Sequence, residues 1–413
     1  MERIQLQTSS LVFPGRISIL KGMIWPFIFL SYASLFVFGL TDNIRGPLFP
    51  EILKQFAVSD GMGSLMFALS NISGLISSYA CRYLLRRYDR LTVLKGGTIG
   101  LVVSLLGLAA SPIFPVFLIF SFGFGFSMGI LGLVPNVLVP MGSSPERKQR
   151  MLAGLHTMYG LASLMAPLLA ASIEYLTGSW RWTFAIASVG PLCLLAYTYH
   201  PSHKSLHSRS TVTDDEHRAN KKKNLKPQLF LAIMLSFAVA AEIMISSRLA
   251  LYMQRTWNFS MEASSLYVTY FFVCMMVGRL IFAVIHFHQS ARFLLSASLV
   301  GSLILMLAGL YIHPLFLAGS GLAVAPFYPL AISWISSEFP QDLDTAVTYM
   351  MTTDSLMLIL MHLAIGKLTD FIGIQNAILA GSFFLIASLV MVNSYAWFFK
   401  KPSLLAQAST PAR

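Results

Sequence analysis

The sequence predicts an all-α membrane protein, with twelve transmembrane helices in two pseudo-symmetric six-helix bundles. Hydrophobic residues make up 56% of the 413-residue chain and charged residues only 11%, with a mean hydropathy of +0.69. Soluble domains carry about 25% charged residues, so this chain cannot cover a water-facing surface. Its apolar runs recur at about 20 residues, the length a helix needs to cross a hydrocarbon core. One long hydrophilic stretch divides those runs six and six.

The first run, 24–42, begins at Ile24 and has no small-residue cleavage site near its end, so it reads as a span rather than a leader. Runs at 61–81 and 92–110 flank the basic loop Arg82 to Arg90. The fourth, 113–140, is glycine-rich and finishes in a turn from Pro135 to Pro140. The fifth, 152–174, ends in Glu174-Tyr175-Leu176-Thr177-Gly178, and the sixth, 181–199, follows Ser179-Trp180-Arg181-Trp182. The remaining runs lie at 228–252, 264–286, 293–311, 314–336, 345–367 and 376–398. In lipid, backbone hydrogen bonding requires these runs to be helices.

Between the sixth and seventh runs, Pro201 to Lys226 carries seven Lys and Arg against Asp214, Asp215 and Glu216. It reads as a solvated cytoplasmic linker, giving a first bundle at 1–200, a linker at 201–227 and a second bundle at 228–413. The halves echo each other. Asp370-Phe371-Ile372-Gly373 ends the eleventh run as Glu174 to Gly178 ends the fifth, and Pro326 to Pro329 matches the proline turn of the fourth. Such repetition is expected where two bundles flank a central site.

The net charge of +12 does not indicate nucleic-acid binding, because the basic residues sit between apolar runs. With the N-terminus inside, 21 of the 29 Lys and Arg fall on inside segments. The positive-inside rule therefore predicts both termini in the cytoplasm, and the expected location is a bacterial inner membrane. Cys81, Cys193 and Cys274 are too scattered for a disulfide framework or a metal site. Gly125-Phe126-Ser127-Met128-Gly129 matches a hydrolase elbow as a pattern, but that motif needs a strand-to-helix turn and this one lies inside an apolar run. Ser121, Gly125 and Gly129 instead form a small-residue stripe for close helix packing. No cofactor, metal site or enzymatic activity is expected.

Arg86-Arg87-Tyr88-Asp89-Arg90 and Ser179-Trp180-Arg181-Trp182 resemble loop motifs of the major facilitator superfamily, and the resemblance spans nearly the whole chain. Within it, Gly125 to Asn136, Leu155 to Gly160, Ala241-Glu242, Gly278-Arg279-Leu280 and Ala325 to Pro329 are similar to the fucose:proton symporter branch of sugar porters. That resemblance implies sugar uptake by symport. It also carries departures: Gly46 and Gly132 stand where the branch has proton-linked carboxylates, and Asp42 stands where it has an asparagine.

An ionisable side chain inside a span costs roughly 2.5–3.5 kcal/mol on insertion scales, so each marks a cavity-facing candidate. Glu242, deep in Phe237-Ala-Val-Ala-Ala-Glu242-Ile-Met-Ile, is the first choice for proton coupling; a buried carboxyl can take and release a proton during a cycle. Its alternative is an interhelical hydrogen bond. Asp42 and Arg45, three apart on one helix face, read as a gate or as an interfacial ion pair. Arg248 reads as a partner for Glu242 or as a snorkelling cation beside Arg255. Expected substrate contacts are Asp354, His156 and Tyr159, Asn136 as donor and acceptor to a hydroxyl-rich ligand, and Tyr328 as a stacking face with Phe327 and Trp334 beside it. Helix packing is the competing reading for each.

Together these features predict a secondary transporter, a monomer in the lipid bilayer, that moves a small hydrophilic solute of the sugar class by alternating access, with protons as the coupling ion. Two other readings stay open. Twenty-one methionines and many phenylalanines suit an exporter of amphipathic drugs, and the same fold can serve a non-transporting membrane sensor.

Overall fold

A computed structural model describes residues 23–200 and 225–399, apart from 286 and 341. Most of the linker expected at 201–227 lies outside the described residues. The first six spans are α1 (Trp25–Asn43) with α2 (Arg45–Phe56), α3 (Asp60–Arg87), α4 (Arg90–Ala110), α5 (Phe114–Gly142), α6 (Lys148–Thr177), and α7 (Arg181–Ala187) with α8 (Val189–Tyr197). The last six are α9 (Leu225–Trp257), α10 (Met261–Val284), α11 (Ala291–Tyr311), α12 (Pro314–Val324) with α13 (Phe327–Glu338), and α14 (Leu343–Ala380) continuing into α15 (Ser382–Phe399). Among the described residues, ten apolar helical runs are long enough to cross a membrane. The 17-residue α7–α8 segment adds a short eleventh, and Gly373 splits the 55-residue run Thr345–Phe399 into two, making twelve.

Gly373 makes that split because its φ of 79° is open to glycine and strained for other residues. Elsewhere the ends follow ordinary capping: Ser59, Asp89, Ser260 and Ser290 each accept a backbone N–H from the first turn of α3, α4, α10 and α11. The expected proline turn at 135–140 is absent. Both prolines lie inside α5, which runs on to Gly142; neighbouring helices make intramembrane prolines tolerable.

Helices alternate in direction, so 57–59, 111–113, 178–180, 258–260, 312–313 and 373 share one end of the bundle. We call it distal, and the other end, where residues 23 and 399 lie, terminal. Arg181 bonded to the carbonyls of Ala109 and Ser111, and Gln375 bonded to Leu310, mark this end. At the terminal end, the Ile24 N–H meets the Gly142 carbonyl at 2.8 Å.

The small-residue stripe does what its spacing predicts. Ser70 on α3 donates to the Ser121 carbonyl on α5 at 2.9 Å, and a Cβ on Gly125 would overlap the Ser70 carbonyl. The Gly-x-Ser-x-Gly pattern therefore sits in a continuous helix packed against α3, with no elbow.

Candidate functional site

Near the middle of the first half, α1 and α6 share a polar cluster. Asn43 Nδ2 lies 3.0 Å from Ser163 Oγ and 3.3 Å from Tyr159 Oη. Tyr159 donates in turn toward Asp42 at 3.4 Å. Asp42 also holds Arg45 in an ion pair, so the two residues three apart do meet. Arg45 is largely buried, with its guanidinium 4.6 Å from the Phe124 ring centroid and 5.2 Å from that of Phe67.

In the second half, Glu242 on α9 meets Arg279 on α10 at 3.9 Å. Asp354 Oδ1 on α14 lies 2.6 Å from Ser236 Oγ on α9, and Ser236 Oγ also lies 2.8 Å from Thr353 Oγ1. The two halves face each other across these groups. Tyr159 lies in the field of Asp42, Glu242 and Arg279; Tyr328 in that of Asp354, Glu242 and Arg279; His156 in that of Arg279. Tyr328 is surrounded by interior charges yet remains 39% exposed, and His156 is exposed as well, so both border open space inside the bundle.

Arg248 is not part of this chamber. It neither neutralises Glu242 nor snorkels outward. It is 1% exposed, donates to Ser64 on α3 at 2.8 Å, lies 3.5 Å from His362 Nδ1 and covers the Phe49 ring at 4.3 Å. The partner of Glu242 is Arg279 instead. Sequence reasoning missed that role, although Gly278-Arg279-Leu280 had stood out as a motif; pairing across two helices depends on their packing.

Arg248 belongs to a distal seal between the halves. Arg255 pairs with Asp60 at 2.6 Å, Phe67 stacks on His362 at 4.7 Å, and Asp370 accepts the N–H groups of Asp60 and Gly61 at 2.8 and 3.0 Å. On the terminal side the halves also meet, through Tyr79 and Arg82 on α3 against Thr352 and Thr348 on α14.

The remaining expected contacts divide. Asn136 is half-buried and donates to Gly132 of its own helix at 2.7 Å. Phe327 is 2% exposed and Trp334 packs edge-on against Tyr395, so neither offers a stacking face; Tyr328 alone of the three borders the chamber. Among the described residues no group of His, Cys, Asp and Glu is placed to hold a metal ion.

This geometry agrees with comparison to known proteins. The family model described as Major Facilitator Superfamily matches residues 31–356, well over half of the chain. The chain belongs to the major facilitator superfamily. It is accordingly a multi-pass integral membrane transporter of a small molecule, not an enzyme. It is 22% identical over 393 residues to a protein TsgA homolog of Yersinia pseudotuberculosis serotype O:1b, covering 91% of this chain and 96% of that one. A protein TsgA homolog of Yersinia pestis strain Pestoides F is 24% identical over 315 residues, covering 75% and 76%. The fold matches the crystal structure of a bacterial homolog of the human lysosomal transporter Spinster, in an inward-facing and occupied conformation. The TM-score there is 0.71 at 12% identity, over 92% of this chain and 98% of that chain.

Proposed function

We propose that the protein is a proton-driven secondary transporter of a small hydroxylated solute of the sugar class. In this reading, bundles at 1–200 and 228–413 rock about the midplane chamber and expose it to each side in turn. One observation carries it. Asp42 and Tyr159 from the first half converge with Glu242, Arg279, Tyr328 and Asp354 from the second, in a space that is closed distally. Such a lining offers donors, acceptors and one aromatic face to a polyol, and its charges would be costly anywhere except in a wetted chamber. The bias of Lys and Arg toward the terminal side supports a cytoplasmic terminal end, so that the distal seal closes the outer side.

Uptake of labelled monosaccharides into proteoliposomes, with and without an imposed pH gradient, tests the proposal. Gradient-stimulated accumulation of one of them supports it; absence of flux across the panel refutes the substrate class.

A second reading rests on a different feature. An apolar hollow of about 520 Å³ opens between α1, α6 and α8, lined by Phe29, Tyr32, Phe36, Met158 and Leu194 among others. It suits an amphipathic solute, and an exporter would then protect cells against hydrophobic cations while moving no sugar.

A further inference from the structure

Two of the three chamber carboxylates have a cation. Asp42 holds Arg45, and Glu242 holds Arg279. Asp354 forms no ion pair among the described residues; its one short contact is Ser236 Oγ at 2.6 Å. The titratable groups that share its field are Glu242 on α9 and Tyr328 on α13, and Arg279 on α10 acts on Tyr328. On the α3 side, Tyr79 and Arg82 meet Thr352 and Thr348 on the α14 surface instead.

The protons around Ser236 can be counted. Its Oγ lies 2.9 Å from the Ala232 carbonyl, 2.8 Å from Thr353 Oγ1 and 2.6 Å from Asp354 Oδ1, while Thr353 Oγ1 lies 2.9 Å from the Tyr349 carbonyl. Ser236 is the donor toward all three of its neighbours, yet a hydroxyl has one proton and two lone pairs. If Asp354 is ionised, only two protons are present. The single Ser236 proton must then serve the Ala232 carbonyl, Thr353 and the carboxylate together. A neutral Asp354 supplies the third proton. It donates to Ser236, the Ser236 proton is shared between the Ala232 carbonyl and Thr353 Oγ1 in a three-centre bond, and Thr353 donates to the Tyr349 and Met350 carbonyls of its own helix.

We propose that Asp354 is the carboxyl group that carries the coupling proton, and that in this state it is the neutral acid donating to Ser236. This rests on the proton-driven reading above and moves its proton from Glu242 to Asp354. Glu242 then keeps only its pairing with Arg279. The step is a single protonation: Asp354 gains a proton from one side of the membrane and releases it to the other, with no bond made or broken but O–H.

The test needs no substrate. Infrared spectra of the full chain in a detergent that carries no carbonyl group, at neutral pH, are expected to show the C=O stretch of a protonated carboxylic acid. That band should persist in Glu242→Gln, disappear in Asp354→Asn, and change frequency in Ser236→Ala, which leaves the acid without its hydroxyl partner. A band that persists in Asp354→Asn, or one absent from the unaltered protein, overturns the assignment. A Ser236→Ala band at unchanged frequency overturns the hydrogen bond on which it stands. Where Asp354→Asn fails to fold, Glu242→Gln decides alone: loss of the band there places the proton on Glu242. Failure of monosaccharide flux alongside the expected spectra would remove the substrate class and leave the proton site standing.

Discussion

Asp370 caps a helix that belongs to the other half of the chain. Its carboxylate, near the end of the eleventh span, takes the N–H groups of Asp60 and Gly61 and the hydroxyl of Ser59 at 3.0 Å, at the start of the second span. A helix start presents unpaired N–H groups and a positive dipole end, so this is a charge-assisted contact across the mouth of the protein. Both partners are readily hydrated, which lets the contact break and reform as the distal end opens and closes.

Asp370→Ala is therefore expected to loosen the distal end. Hydrogen bonds to a charged group contribute about 1.5–3 kcal/mol, enough to shift the balance between closed and open forms by roughly ten-fold or more. Gln254, which helps line a distal hollow of about 250 Å³, reports the change. A cysteine placed there should react faster with a membrane-impermeant thiol reagent in the Asp370→Ala background. Equal rates in both backgrounds would show that the cap does not hold the gate.

Arg248 has the opposite role in the same seal. It sits 1% exposed with Nε and Nη1 unmatched, and it forms no ion pair among the described residues. Replacing buried charge with apolar volume is often neutral or stabilising by 1–4 kcal/mol. Arg248→Met should raise the thermal midpoint of the purified protein and slow transport, since the closed distal form no longer carries unmatched donors that water would satisfy on opening. A lowered midpoint would show that the Ser64 bond and the Phe49 contact outweigh those donors.

The Glu242–Arg279 pair predicts non-additive behaviour. Arg279→Gln leaves a buried carboxylate alone, and breaking one side of a buried pair costs about 3–5 kcal/mol. Adding Glu242→Gln removes the orphan charge, so the double variant should be more stable than Arg279→Gln alone. Thermal midpoints of the two single variants and the double variant give the coupling directly; an additive result would mean that the two residues do not interact.

The parts legible in the sequence were those fixed by one helix at a time. Run lengths gave the spans because lipid admits no other backbone, and the Ser121–Gly125–Gly129 stripe marked a face that does pack closely on α3. Asp42 and Arg45 were paired in advance because their spacing alone brings them together. Glu242 was singled out because a charge in mid-span needs an interior. Its partner was misjudged, since Arg248 shares its helix and drew attention while Arg279 approaches from α10. The distal seal was invisible for the same reason: Asp60 and Asp370 are 310 residues apart, and only the meeting of the two halves joins them.

Close packing of α3 on α5 supplies a last prediction, with its control built into the same half. A Cβ on Gly129 would stand 2.6 Å from the Gly74 carbonyl, and on Gly125 it would overlap the Ser70 carbonyl; both obstacles are backbone and cannot swing aside. Gly96 on α4 has nothing within 4 Å of the same position. Overpacking costs typically 1–3 kcal/mol, so Gly125→Ala and Gly129→Ala should each lower the yield of monodisperse protein on size exclusion and reduce its thermal midpoint. Gly96→Ala should match the unaltered chain or exceed it slightly, because alanine is the better helix former by about 1 kcal/mol. Equal behaviour of all three would mean that α3 and α5 stand further apart than the structure places them.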